Sequence, residues 1–218
     1  WRTKCGSFQM LIKRIRNFGL LALAVLLLSP WAWAQGRSKF SVKESSGNPK
    51  LKLETVRGPE YKDSRYGTGA AGYWGAINLE FELNNKKDEW IDELEVYCKI
   101  LIETKDGKGL VLENSFFFID ICCGDKNRVV LYIPPTFFRR YLEVNRPDMK
   151  KTNVYMELRV DGSPIHRNAI VETNTRIPKD WYKMTDRYRT LTNVILLKSK
   201  TPFAPLDYDY YILERPGQ

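Results

Sequence analysis

Histidine is almost absent: His166 is the only one in 218 residues. A zinc site built on several imidazoles is therefore excluded. No serine or cysteine stands in a recognisable nucleophile setting, so His166 reads as an ordinary strand side chain. Cysteine is scarce as well, with Cys98, Cys122 and Cys123 left once residues 1–34 are set aside. No apolar run reaches the length of about 20 residues that a membrane span needs. The longest, residues 18–28, is 11 residues long. No basic run with interleaved aromatics occurs, so nucleic acid binding has no support. Strands alternating with long helical patterns are missing too, which argues against a doubly wound α/β fold.

What is present begins with an export signal. Residue 1 is Trp, so residues 1–9 read as an upstream extension and Met10 as the start. Lys13, Arg14 and Arg16 precede the apolar run, and Ala32-Trp33-Ala34 follows it. Basic segment, short apolar centre and Ala-x-Ala together predict a signal peptide cleaved after Ala34. No cysteine follows at once, so no lipid anchor is expected, nor any stable membrane anchor after cleavage. Residues 1–34 carry five basic side chains and no acidic one, which lowers the net charge from +9 to +4. So small a balance names no partner.

Residues 35–49 are polar and read as a flexible leader. A β-sandwich domain is expected over 50–177, and a C-terminal helix or strand with a Pro/Tyr-rich tail over 178–218. Leu51, Leu53 and Thr55 alternate with charged residues and predict a strand ending at Gly58-Pro59. Ile77, Leu79, Phe81 and Leu83 share one face of a second strand, and Leu94, Val96, Cys98, Ile100 and Ile102 one face of a third. Asp106-Gly107 predicts a tight hairpin, in which Cys98 would lie opposite Ser115. Residues 110–121 are apolar on both faces, as in a strand that is central or covered. A short helix over 136–142 is expected, with Thr136 as its cap and Phe137, Phe138 and Tyr141 inward. Val154, Met156, Leu158 and Val160 alternate up to a turn at Asp161-Gly162. Trp181, Met184, Tyr188 and Leu191 are spaced for one helical face. The prolines at 202 and 205 favour an extended path beyond Thr201. The fold class expected is all-β: an immunoglobulin-like β-sandwich with a short helix and an extended C-terminal segment.

Several patterns invite chemistry and have simpler explanations. Gly67-Thr-Gly-Ala-Ala-Gly72 matches a dinucleotide-binding spacing, but no strand enters it and no helix leaves it, so it reads as a loop. Glu80 and Glu82, about 6.6 Å apart along one strand face, resemble a hydrolase pair and read as a solvated face. In the hairpin register expected here Cys98 and Cys122 stand about 23 Å apart, beyond the roughly 7 Å a disulfide allows. Buried thiols are therefore expected. No catalytic residue, metal site or cofactor is assigned. The aromatic C-terminus has two readings: packing on the sandwich itself, or a surface, Phe203, Leu206, Tyr208, Tyr210 and Tyr211, as a site for a protein partner.

The stretch Lys198-Ser-Lys-Thr-Pro-Phe-Ala-Pro-Leu206 with its Tyr-rich sequel, behind a signal peptide and a sandwich body, resembles a family of exported verrucomicrobial proteins. These are encoded beside type IV pilus assembly genes in Akkermansia and its relatives. The resemblance implies an immunoglobulin-like fold, no enzymatic activity, and a role in pilus assembly or at the cell surface. The expected function is that of a non-enzymatic periplasmic or cell-surface protein of a pilus or secretion system, in contact with envelope or pilus-assembly proteins. A surface glycan-binding module is the first alternative, and a periplasmic hydrolase the second.

Overall fold

Side chains of opposite character alternate along most of the chain, so each strand buries one face and wets the other. The computed structural model describes residues 39–45, 49–60, 72–166, 170–172, 177–178, 180–206 and 212–218. The expected signal peptide and the glycine-rich loop up to residue 71 lie outside the described residues.

Two sheets form. The smaller runs in the order β1 (Lys50–Arg57), β2 (Tyr73–Glu82), β5 (Lys126–Ile133) and β10 (Leu196–Leu197). In the larger, β3 (Trp90–Glu103) lies between β4 (Gly109–Cys122) and β6 (Asn153–Val160). The short strands β7 (Ser163–Pro164) and β8 (Ile170–Glu172) pair with β6. The far edge of β4 takes β9 (Arg189–Thr192) in parallel and β11 (Leu213–Glu214) antiparallel. One core joins the inner faces: Ile77, Leu79, Phe81 and Leu131 from the smaller sheet meet Val96, Cys98, Ile100, Leu112, Met156 and Leu158 from the larger. The protein is an all-β sandwich, as its alternation predicts.

The β3–β4 turn differs by one residue from expectation. Cys98 pairs with Asn114, not Ser115. The loop has three residues, 105–107, because Thr104 and Lys108 close it with a 2.9 Å backbone hydrogen bond. Gly107 takes φ +75° at its last position, a conformation open to glycine at no steric cost. Asp161 and Gly162 form the expected two-residue turn, both at positive φ.

Four further expectations are corrected. The leader is not loose throughout: Phe40 and Val42 are buried. The Val42 N–H donates to the Ile165 carbonyl while Val42 bridges Leu83, so this segment ties the two sheets together. The helix runs Pro135–Tyr141 and has no side-chain cap; Pro135 starts it instead, since a first-turn residue needs no N–H. Residues 181–187 form two single 3₁₀ turns, Trp181–Lys183 and Thr185–Arg187, and Leu191 lies on β9. The open edge of β4 offers ladder hydrogen bonds that outweigh a marginal helix. Residues 201–206 form successive turns, closed by Ala204 N–H to Thr201 O and Leu206 N–H to Phe203 O. Pro202 suits the second position of the first of these turns. The C-terminal part is thus woven into both sheets and is no separate appendage.

β4 is apolar on both faces because a second layer covers its first half. Leu101, Val111 and Tyr155 on the outer face pack on Trp181, which is wholly buried. Gly109 is required there, since a Cβ on it would come within 2.3 Å of the Tyr188 ring.

Phe81→Ala removes a ring that is 1% exposed in the central core. It should lower unfolding stability by about 3–5 kcal/mol, measured by urea denaturation; a loss below about 1 kcal/mol would mean the two sheets do not share that core.

Candidate functional site

The five expected contact residues divide. Phe203 is taken up by the chain itself. Its ring stacks on Tyr132 at 4.6 Å and meets Trp74 edge-on at 5.7 Å, on the outer face of the smaller sheet. Only 7% of Phe203 is exposed. Leu206, three residues on, is 44% exposed. Its carbonyl accepts from the Lys198 ammonium. Tyr208, Tyr210 and Tyr211 lie outside the described residues. The arrangement is an anchor followed by a presented side chain, and the turns at 201–206 set their opposite directions.

Beside the anchor lies a groove of about 610 Å³, lined by Trp74, Tyr73, Pro134, Pro135, Arg139 and Asn145 among others. Close chain approach builds one wall: Gly58 N–H donates to Gly72 O at 2.9 Å. A Cβ on Gly72 would sit 2.7 Å from Pro135.

Past Ile212 the chain crosses to the larger sheet. Arg215 N–H donates to Phe117 O at 2.9 Å, and its guanidinium lies 4.0 Å above the Phe117 ring. The Gln218 amide accepts from Phe117 N–H and donates back to its carbonyl, which imitates one rung of a ladder. Leu213 and Trp90, more than half exposed, stand on either side of β4 near this point.

The middle of the larger sheet's outer face is a closed polar grid. Arg159 bonds Glu157 through two nitrogens and Glu95 at 3.4 Å, and lies 4.3 Å over the Tyr97 ring. Tyr97 and Tyr155 hydroxyls bond Glu113 and Glu157. Burial first, then these carboxylates, push both phenols above their usual range. Strand alternation placed these residues on one face but gave no sign of their pairing. That pairing arises because β3 lies between β4 and β6, and β6 is remote from β3 in sequence.

The other candidates lie apart from this surface. Glu80 pairs with Arg128 and Glu82 with Lys43 at 2.7 Å. Each carboxylate thus has a cation beside it. His166 is half-buried, and burial lowers its pKa against the opposing pull of Glu44. Cys98, Cys122 and Cys123 are free thiols. Cys98 and Cys123 are buried as expected, while Cys122 is half-buried, and burial raises the pKa of all three. Among the described residues no cluster of three or more His, Cys, Asp or Glu side chains is placed to hold a metal. No described helix is long and apolar enough to cross a membrane.

Two predictions separate packing from presentation. Phe203→Ala should cost about 3 kcal/mol or more, whereas Leu206→Ala should change stability by less than about 0.5 kcal/mol; equal effects in thermal unfolding would refute the division. Glu80 has its pKa held below the ordinary 4.5, chiefly by the Arg128 hydrogen bond. Its contribution is present above the unfolded value and is lost as pH falls through the folded one. The stability gap between wild type and Glu80→Gln, read from urea midpoints, should therefore close below about pH 4.5. A gap that is constant from neutral pH to pH 3 would contradict this.

A protein-family model matches residues 37–216, most of the chain, and the chain belongs to that family. Among solved structures, a crystal structure of a protein from Akkermansia muciniphila matches with a TM-score of 0.65 and 18% identity. The match covers 83% of this chain and 95% of that one. At that identity the likeness shows a shared fold. No curated protein matches the chain.

Proposed function

We propose that this family member is an exported, non-enzymatic immunoglobulin-like protein of the envelope, associated with a type IV pilus or secretion apparatus and working through protein contacts. The single observation that carries the reading is the anchored presentation at the C-terminus. Phe203 is locked on Tyr132 and Trp74 while Leu206 faces solvent. That exposed leucine leads directly into Tyr208, Tyr210 and Tyr211. A rigid base costs little ordering entropy when an apolar partner surface docks on it. The export-signal pattern, the family membership and the sandwich shared with an Akkermansia protein support the same reading.

The docking variant must leave the fold intact. Removing residues 201–218 would strip Phe203 from Tyr132 and Gln218 from Phe117, so point substitutions are the cleaner probe. Leu206→Asp combined with Tyr208→Ala, Tyr210→Ala and Tyr211→Ala should keep the wild-type unfolding temperature. It should lose at least about tenfold of the pilus-assembly proteins that co-purify with wild type from the native envelope. Undiminished capture of those proteins by the variant would overturn the proposal.

A further inference from the structure

We propose that the outer edge of β1 pairs with the same edge of a second copy, joining two smaller sheets across a two-fold axis. This contact is independent of the C-terminal docking surface. The far sides of β4, β5 and β6 are taken by short strands of the chain itself: β9 and β11, β10, and β7 and β8. Those strands are two to four residues long. β1 is eight residues long and has β2 on one side. On its other side, among the described residues, no strand pairs with it and no backbone hydrogen bond leaves it. Its register with β2 runs unbroken from Lys50 opposite Glu80 to Arg57 opposite Tyr73, so it carries no bulge, and it contains no proline. A long edge with neither device is a template for another strand. The core is open along the same line. Ile77 and Leu79 on β2 are wholly buried, while their cross-strand neighbours Leu53 and Leu51 are only partly buried.

The charges on β1 match the strand itself. On its solvent face Lys52 and Glu54 bond each other at 2.6 Å. In an antiparallel pair, residues directly opposite each other share one face of the sheet. A two-fold axis at Leu53 therefore sets Lys52 of each copy opposite Glu54 of the other. On the inner face it sets Leu53 against Leu53 of the second copy and Leu51 against Thr55, beside the partly open core. Moving the axis by one residue places Lys52 on Lys52 or Glu54 on Glu54. Moving it to Leu51 places Lys50 on Lys52, and moving it to Thr55 takes Lys52 and Glu54 away from any opposite charge. Like charges directly opposite are destabilising, so the leucine-centred register is the self-pairing that satisfies both. The contact uses the same surface on both copies and closes as a dimer. A single strand pair is smaller than a standard interface of about 1,600 Å², so the dimer is weak and depends on concentration.

The test is sedimentation velocity on the exported form of the chain over a range of concentrations. Wild type should pass from monomer to dimer as concentration rises. Lys52→Glu and Glu54→Lys should each weaken dimerisation at least about tenfold, since each change acts twice across the axis. Lys52 is 61% exposed and Glu54 35%, so neither change disturbs the core. Mixed in equal amounts, the two variants should dimerise with each other about as well as wild type, because two acidic positions then face two basic ones. Lys52→Glu combined with Glu54→Lys on one chain should also dimerise like wild type. Wild type that is monomeric up to about 1 mM, single variants that dimerise like wild type, or a mixture that gains nothing over its components would each overturn the proposal. Glu54→Lys leaves Leu206 and its neighbours unchanged and should not alter capture of envelope proteins, so a failure here is distinct from a failure of the docking role.

Discussion

The register between β3 and β4 is the constraint on which the rest of the sandwich depends. Leu94, Val96, Cys98 and Ile100 are all buried to the point of zero exposure. A slip of one residue would turn every one of them outward. The same slip would turn the polar grid of Glu95, Tyr97 and Lys99 inward, where unpaired charge is costly. Core and grid therefore enforce the same alignment from opposite faces. Gly107 supplies the loop geometry that makes it reachable.

Fixing that register leaves β4 with an open edge, and the C-terminus is organised around closing it. β9 covers one end, β11 the other, and the Gln218 amide fills a rung beside Phe117. An unpaired edge invites association with other chains, so this closure decides where contact can occur. Among the described residues Leu206, at the end of the turns at 201–206, and Trp90 and Leu213, on either side of β4, are apolar side chains that still meet solvent.

The sequence shows most of the fold because period-two alternation is a local signal. Ile77 to Leu83 and Val154 to Val160 could be assigned by inspection, and both strands bury the faces so expected. Local spacing misled where tertiary pairing won. Trp181, Met184, Tyr188 and Leu191 have helical spacing, yet Trp181 is drawn into a cluster with Leu101, Val111 and Tyr155 and Leu191 joins an edge strand. The strict alternation also breaks near Asp120, at φ +56°, so that Ile91 and Ile121 both point inward out of step with their strands. No residue-type pattern announces that kink. Of the candidate site, the aromatic density was legible, but the division between anchor and presented residues was not. It depends on which of the two side chains, Phe203 or Leu206, meets Tyr132 and Trp74, and Tyr132 is about seventy residues distant in sequence.

The measurement that bears most directly on this account is the set of cross-strand backbone NOEs between β3 and β4 in solution. The account predicts contacts that align Cys98 with Asn114 and Ile100 with Leu112, with Asn153 to Val160 on the other side of β3. NOEs aligning Cys98 with Ser115 would contradict it, because the shared core and the outer grid cannot both survive that shift.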